Sequence, residues 1–185
     1  MVRFGLATCA LLLLAACAAG PTGRATAPVA AAPPLSPDQD FLNRAATGTG
    51  NEVALGRLAG ERGLAGPVRT FGAHIAAEHA RLNARLIDLA RRLNMAPNAT
   101  TADLSGLAAL SGPEFDRQFI ADQIRDQREA LALFETGAQA VQDPRLRHFA
   151  REWLPTLRRD LTRAERIGSQ YGVAQAEPPS LVAQR

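Results

Sequence analysis

Four polar residues stand where apolar ones are expected: Glu52, His79, Gln127 and Asp160. Each lies on the apolar stripe of a helical pattern, about halfway along it. His79 is the only polar member of Val68, Phe71, Ile75, His79, Leu82, Leu86, Leu89 and Leu93, a run spaced by threes and fours. Glu52 is in register with Phe41, Ala45, Gly48, Leu55 and Ala59. Gln127 falls among Ile120, Ile124, Leu131 and Phe134, and Asp160 among Trp153, Leu157 and Ala164. One imidazole, two carboxylates and an amide turned toward a common core could hold a divalent metal, with Zn, Fe or Mn better suited than a soft ion. Glu78 and Asp126, beside the stripes, are candidates to orient those ligands. Buried carboxylates need partners, so the same layer could instead be a packing device that fixes helix register through hydrogen bonds. Use of the layer for a small ligand or catalysis is a third reading.

The elements that must position this layer are four helices of roughly 27 residues. The first opens at Ser36-Pro37-Asp38-Gln39, a capping box with Pro at the first helical position. Gly63–Gly66 ends it, and Pro67 starts the second. The third opens at Ser111-Gly112-Pro113-Glu114 and the fourth at Asp143-Pro144. A short turn makes the first two antiparallel. The long connection 94–112, with a weak helical stretch at Leu104–Leu110, suits a crossover running the length of the bundle. The expected fold is all-α: a ferritin-like four-helix bundle over residues 36–172. Gly48, Gly50 and Gly56 weaken the first helix or admit a close neighbour.

Composition agrees: the 185 residues are 46% hydrophobic and 5% aromatic. All 21 basic residues are Arg, against 18 acids, and they alternate along the helices as on a solvated face. No basic cluster is interleaved with aromatics, which argues against nucleic acid. No nucleophile arrangement and no phosphate-binding glycine loop is present. The di-iron pattern of Glu plus Glu-x-x-His is also missing. No residue set supports a named reaction, so an enzyme is not the expectation.

The N-terminus reads as a targeting segment. Arg3 precedes an apolar run from Leu6 that ends in Leu14-Ala15-Ala16-Cys17, and this resembles the lipobox of bacterial lipoproteins. The resemblance implies a signal peptide over 1–16 and lipidation at Cys17. It also implies a membrane partner through the anchor and, with Ala18 next, an outer-membrane protein facing the periplasm. Residues 17–35 form a Pro/Ala tether that reaches on the order of 50 Å at about 3.1 Å per residue. The tail 173–185 reads as disordered. With Cys9 removed and Cys17 lipidated, the mature chain has no disulfide.

Five stretches, NEVALGRLA (51–59), VRTFGAHIAAEHARLN (68–83), LSGPEFDRQFI (110–120), RDQREALALFE (125–135) and LPTLRRDL (154–161), resemble the bacterial envelope family catalogued as domain of unknown function 4142. That resemblance implies a ferritin-like fold and an envelope location. Glu52 and His79 match the family pattern, whereas Gln127 and Asp160 stand where its members usually carry His.

Overall fold

The computed structural model describes residues 34–173. The expected signal segment, Cys17, the expected tether up to residue 33 and the tail from residue 174 lie outside the described residues. Val173, expected in the disordered tail, packs on the core, and its N–H donates to the Gly168 carbonyl at 3.0 Å.

The described residues form α1 (Pro37–Arg62), α2 (Gly66–Arg92), the single turn α3 (Ser105–Ala108), α4 (Gly112–Ala140) and α5 (Pro144–Gln170), with no strand among them. Ser36 and Asp143 cap α1 and α5: the Ser36 hydroxyl accepts from the Gln39 N–H, and the Asp143 carboxylate from those of Arg145 and Leu146. Ser111 makes no side-chain cap. There the chain enters α4 through Gly112 at φ +59, a left-handed conformation that glycine adopts without strain.

The helices pair as α1 with α2 and α4 with α5, and α1 also flanks α4 while α2 flanks α5. Two carboxylates fix the directions. Asp116 near the start of α4 accepts from the N–H groups of Leu64 and Ala65, in the α1–α2 turn, at 2.9 and 2.8 Å. Asp38 in the first turn of α1 accepts from those of Gln142 and Asp143, in the α4–α5 turn, at 2.5 and 3.0 Å. Thus α4 starts beside the end of α1, and α2 and α4 run the same way. This is the one-crossover bundle.

The crossover is strapped along α1. Backbone N–H groups of Asn98, Thr100 and Ala102 donate to the side-chain oxygens of Asn43, Thr47 and Asn51 at 2.8, 3.0 and 2.8 Å. The spacing works because two extended residues advance about 6.6 Å and four helical residues about 6 Å. Arg62 then holds the carbonyls of Ala108 and Leu110, beside α3.

The second hairpin repeats the first. Asp116 follows Asp38, and Arg147 follows Arg69, by the same interval (116 − 38 and 147 − 69 both give 78). Arg69 binds the carbonyls of Gly63 and Leu64, just as Arg147 binds those of Val141 and Gln142. Phe41 and Phe119 share the relation, as do Phe71 and Phe149, and Val68 and Leu146. One core cluster contains Phe41, Leu42 and Phe149, and the other contains Phe119, Ile120 and Phe71. Each end of the bundle is therefore built from equivalent residues of opposite hairpins.

Small residues bring α1 and α2 together at one end. A Cβ on Gly56 would lie 2.6 Å from the Gly72 carbonyl oxygen and 2.7 Å from the Ala76 nitrogen. Gly48 and Gly50 serve no such contact, since nothing lies within 4 Å of a Cβ built there.

Candidate functional site

Between the two apolar clusters lies a polar layer. Glu52, His79, Gln127 and Asp160 are all buried, and Thr49 and Gln123 are buried beside them. Helical spacing predicts this level because each helix places its polar residue near its midpoint. Spacing does not predict the partners. Gln123 Nε2 donates to Glu52 Oε2 at 2.7 Å, joining α4 to α1. Gln127 Nε2 meets His79 Nε2 at 3.2 Å, joining α4 to α2 across the bundle. His74 Nε2 meets Asp160 Oδ1 at 2.8 Å, joining α2 to α5.

The four expected ligands therefore do not gather at one point. Among the described residues, no group of three or more His, Cys, Asp or Glu side chains is placed to hold a metal ion. The duplication supplies the reason. The counterparts of Glu52, His79 and Asp160 in the opposite hairpin are Ala130, Leu157 and Leu82, so each ligand occurs once instead of twice. Asp160 gives Oδ1 to His74 at a groove between α2 and α5, which both line with Glu78, while its charge still bears on Glu52. Neither of the residues expected to orient the ligands does so: Glu78 binds Arg81, and Asp126 pairs with Arg125 at 3.1 Å.

Gln123 and His74 are the participants that the stripe pattern missed. Gln123 lies one turn before Gln127, so it shares the inward face, but it is adjacent to Ile124 and was absorbed into that position. His74 is one position off its stripe, and only the approach of α5 makes it part of the layer.

Glu52 and His79 open onto a cavity of about 700 Å³ between α1, α4 and the crossover. Its inner wall is apolar, with Leu55, Leu82, Leu107 and Leu157. Its charged lining is mostly acidic: Glu52, Asp103, Asp122, Asp126 and Glu129 against Arg44 and Arg125. Arg125 is engaged by Asp122 and Asp126 at 2.7 and 3.1 Å.

Burial sets the protonation of the floor. It pushes the Glu52 carboxyl up to about 8 despite the opposing hydrogen bond from Gln123, and it lowers the His79 imidazole to about 4. Burial also raises the Asp160 carboxyl, with the His74 hydrogen bond acting against it, and raises Asp126, with Arg125 acting against it. At neutral pH, Glu52 and His79 are both uncharged. Four buried atoms in the layer have no hydrogen-bond partner: His79 Nδ1, Gln123 Oε1, Gln127 Oε1 and Asp160 Oδ2. Three of them are acceptor oxygens, and the fourth, His79 Nδ1, carries the ring proton because Nε2 accepts from Gln127.

Among the described residues, no helix is long and apolar enough to cross a membrane. Comparison with known proteins gives a family and a fold. The model of the family described as "Domain of unknown function (DUF4142)" matches residues 24–167. No curated protein matches. The chain is similar to a solved DUF305 fragment from Deinococcus radiodurans, with 18% identity and a TM-score of 0.66, over 75% of this chain and 99% of that one. It is also similar to a DUF305 protein from Streptomyces coelicolor described as a candidate secreted protein. There the identity is 12% and the TM-score 0.68, over 77% of this chain and 98% of that one. At such identities the likeness is one of fold.

Proposed function

The chain belongs to that family of unknown function, and from this premise we propose that it is a lipid-anchored, periplasm-facing bundle that takes up a divalent cation through the cavity between α1 and α4. The observation that carries this reading is the pair of unpartnered amide oxygens, Gln123 Oε1 and Gln127 Oε1, behind an acid-rich cavity. Glu52 and His79 hold the ion, and the amide oxygens of Gln123 and Gln127 lie next to them in the layer. A mixed N/O donor set of this kind suits Zn, Fe or Mn. His79 is already neutral, and uptake exchanges the Gln127 N–H on its Nε2 lone pair for the ion, so no deprotonation of the ring is needed. Glu52 must release its proton, which makes uptake weaker in acid. Asp160 is not part of the set, because His74 engages it. The anchor rests on Cys17 after Leu14-Ala15-Ala16, and an extracytoplasmic location also fits the fold shared with a candidate secreted protein.

The test is a thermal melt of the full-length chain in non-ionic detergent, first with chelator and then with Zn, Mn or Fe(II) added singly. An ion that binds only the folded state adds about 2.7 kcal/mol at 100 times its Kd. A rise of several degrees with one ion, absent in His79→Ala, supports the reading. A flat response to all three overturns it. The layer is then a register device, a role favoured by its three polar contacts, each of which joins a different pair of helices.

A further inference from the structure

The groove between α2 and α5 lies on another face and carries the opposite charge. Arg159, Arg163 and Arg166 line it at helical spacings of four and three, with Thr156, Thr162 and His74 around them. Its volume is about 460 Å³, and Arg163 and Arg166 continue into a second hollow that reaches Thr70. Among the described residues, none of these three guanidinium groups is in an ion pair.

The duplication shows what they lack. At the equivalent place in the other copy, Arg85 of α2 forms a two-pronged pair with Glu152 of α5 at 2.6 and 2.9 Å. The counterpart of Arg85 is Arg163, and the counterpart of Glu152 is His74. A carboxylate has given way to an imidazole. Likewise Arg81 binds Glu78, while its counterpart Arg159 binds Thr156, which occupies the position equivalent to Glu78, at 2.9 Å. Asp88, the partner of Arg92, corresponds to Arg166 itself. Arg159 and Arg163 therefore lack the carboxylates that neutralise their counterparts, and at Arg166 the arginine itself stands in a carboxylate's place.

The side chains that remain are held in place. Arg163 lies over the Phe71 ring, 5.4 Å from its centroid, and His74 stacks on the same ring at 6.5 Å. Asp160 engages His74 through Nε2, so Nδ1 faces a ligand as a donor only when it carries a proton. Guanidinium forks and the Thr156 hydroxyl supply donors for a tetrahedral oxyanion, and although Glu78 and Asp160 also line the groove, the arginines leave it net positive.

We propose that the α2–α5 groove is a binding site for a phosphate-bearing ligand, which at Arg159 and Arg163 takes the place of the carboxylates that pair the equivalent arginines, Arg81 and Arg85, in the other copy. Phosphate on a soluble monoester and phosphate in an anionic lipid headgroup offer the same chemistry.

The experiment labels arginines of the full-length chain with phenylglyoxal in phosphatidylcholine nanodiscs, with mass spectrometry reporting each site. One arm adds inorganic phosphate or glycerol 3-phosphate, and the other replaces part of the lipid with phosphatidylglycerol. The expected result is saturable protection of Arg159, Arg163 and Arg166 without protection of Arg91. Protection in the first arm identifies a soluble ligand, and protection in the second arm alone identifies a headgroup. Arg163→Gln, or Thr156→Glu, which restores the missing carboxylate beside Arg159, should weaken the apparent affinity roughly tenfold. The proposal is overturned if neither arm protects these sites more than Arg91, or if protection survives unchanged in both variants.

Discussion

Replacing Glu52 by Gln should remove a pH dependence of stability that the wild-type chain owes to its buried layer. Glu52 titrates near 8 in the folded chain against 4.5 for an ordinary carboxyl, so between those values the folded state holds a proton that the unfolded state has released. His79 titrates near 4 against 6.5, so between those values the unfolded state holds a proton that the folded state lacks. Stability falls with rising pH on the first account and rises on the second. The two slopes cancel from about pH 4.5 to 6.5 and leave Glu52 alone above that. At about 1.4 kcal/mol per pH unit, the wild type loses about 2 kcal/mol between pH 6.5 and 8. For a domain of this size that is a fall of roughly 6 °C in melting temperature. An amide in place of the carboxyl keeps the shape and does not titrate. The Glu52→Gln variant should therefore be level above pH 6.5, with His79 alone raising its stability from about pH 4 to 6.5. Groups common to both chains drop out of the difference. The assay is urea or thermal unfolding of both full-length chains at half-unit steps from pH 5 to 8. A difference between them that stays constant from pH 6.5 to 8 would show that Glu52 is already ionised in the folded state, and would refute the reasoning.

Three further outcomes follow from the packing and the straps. Gly56→Ala should destabilise by about 1–3 kcal/mol, because its Cβ meets the backbone of α2, whereas Gly48→Ala should stabilise by up to about 1 kcal/mol, because its Cβ meets nothing; chemical denaturation of both variants checks the contrast in sign. Asp116→Ala strands two backbone N–H groups of the α1–α2 turn and should cost about 2–3 kcal/mol, while the half-buried equivalent Asp38→Ala should cost less; unfolding midpoints that rank the other way would contradict this. The amides of Asn98, Thr100 and Ala102 should be protected from hydrogen exchange although their segment is not helical, and Asn51→Ala should speed exchange at Ala102 first.

The positions of the helices were legible because their signals are local. Ser36 and Asp143 cap with their own side chains, Pro stands at or next to the first helical position, and the stripes repeat at helical spacing. The polar layer was legible for the same reason, since a single His in an otherwise apolar stripe marks its own level. The duplication was present in the sequence too, in the common interval between Asp38 and Asp116 or Phe71 and Phe149, but weak identity elsewhere hides it. Equivalent hydrogen bonds at the two turns expose it. Periodicity along one helix gives the face and height of a residue, not which residue of another helix it meets. That pairing depends on helix rotation and on the crossover, and it joined Asp160 to His74 instead of to Glu52 or His79. It brought Gln123 and His74 into the layer and left Arg159 and Arg163 without the carboxylates their counterparts Arg81 and Arg85 have. Partners drawn from distant parts of the chain are set by tertiary packing, where fractions of a helical turn decide which atoms come within hydrogen-bond reach.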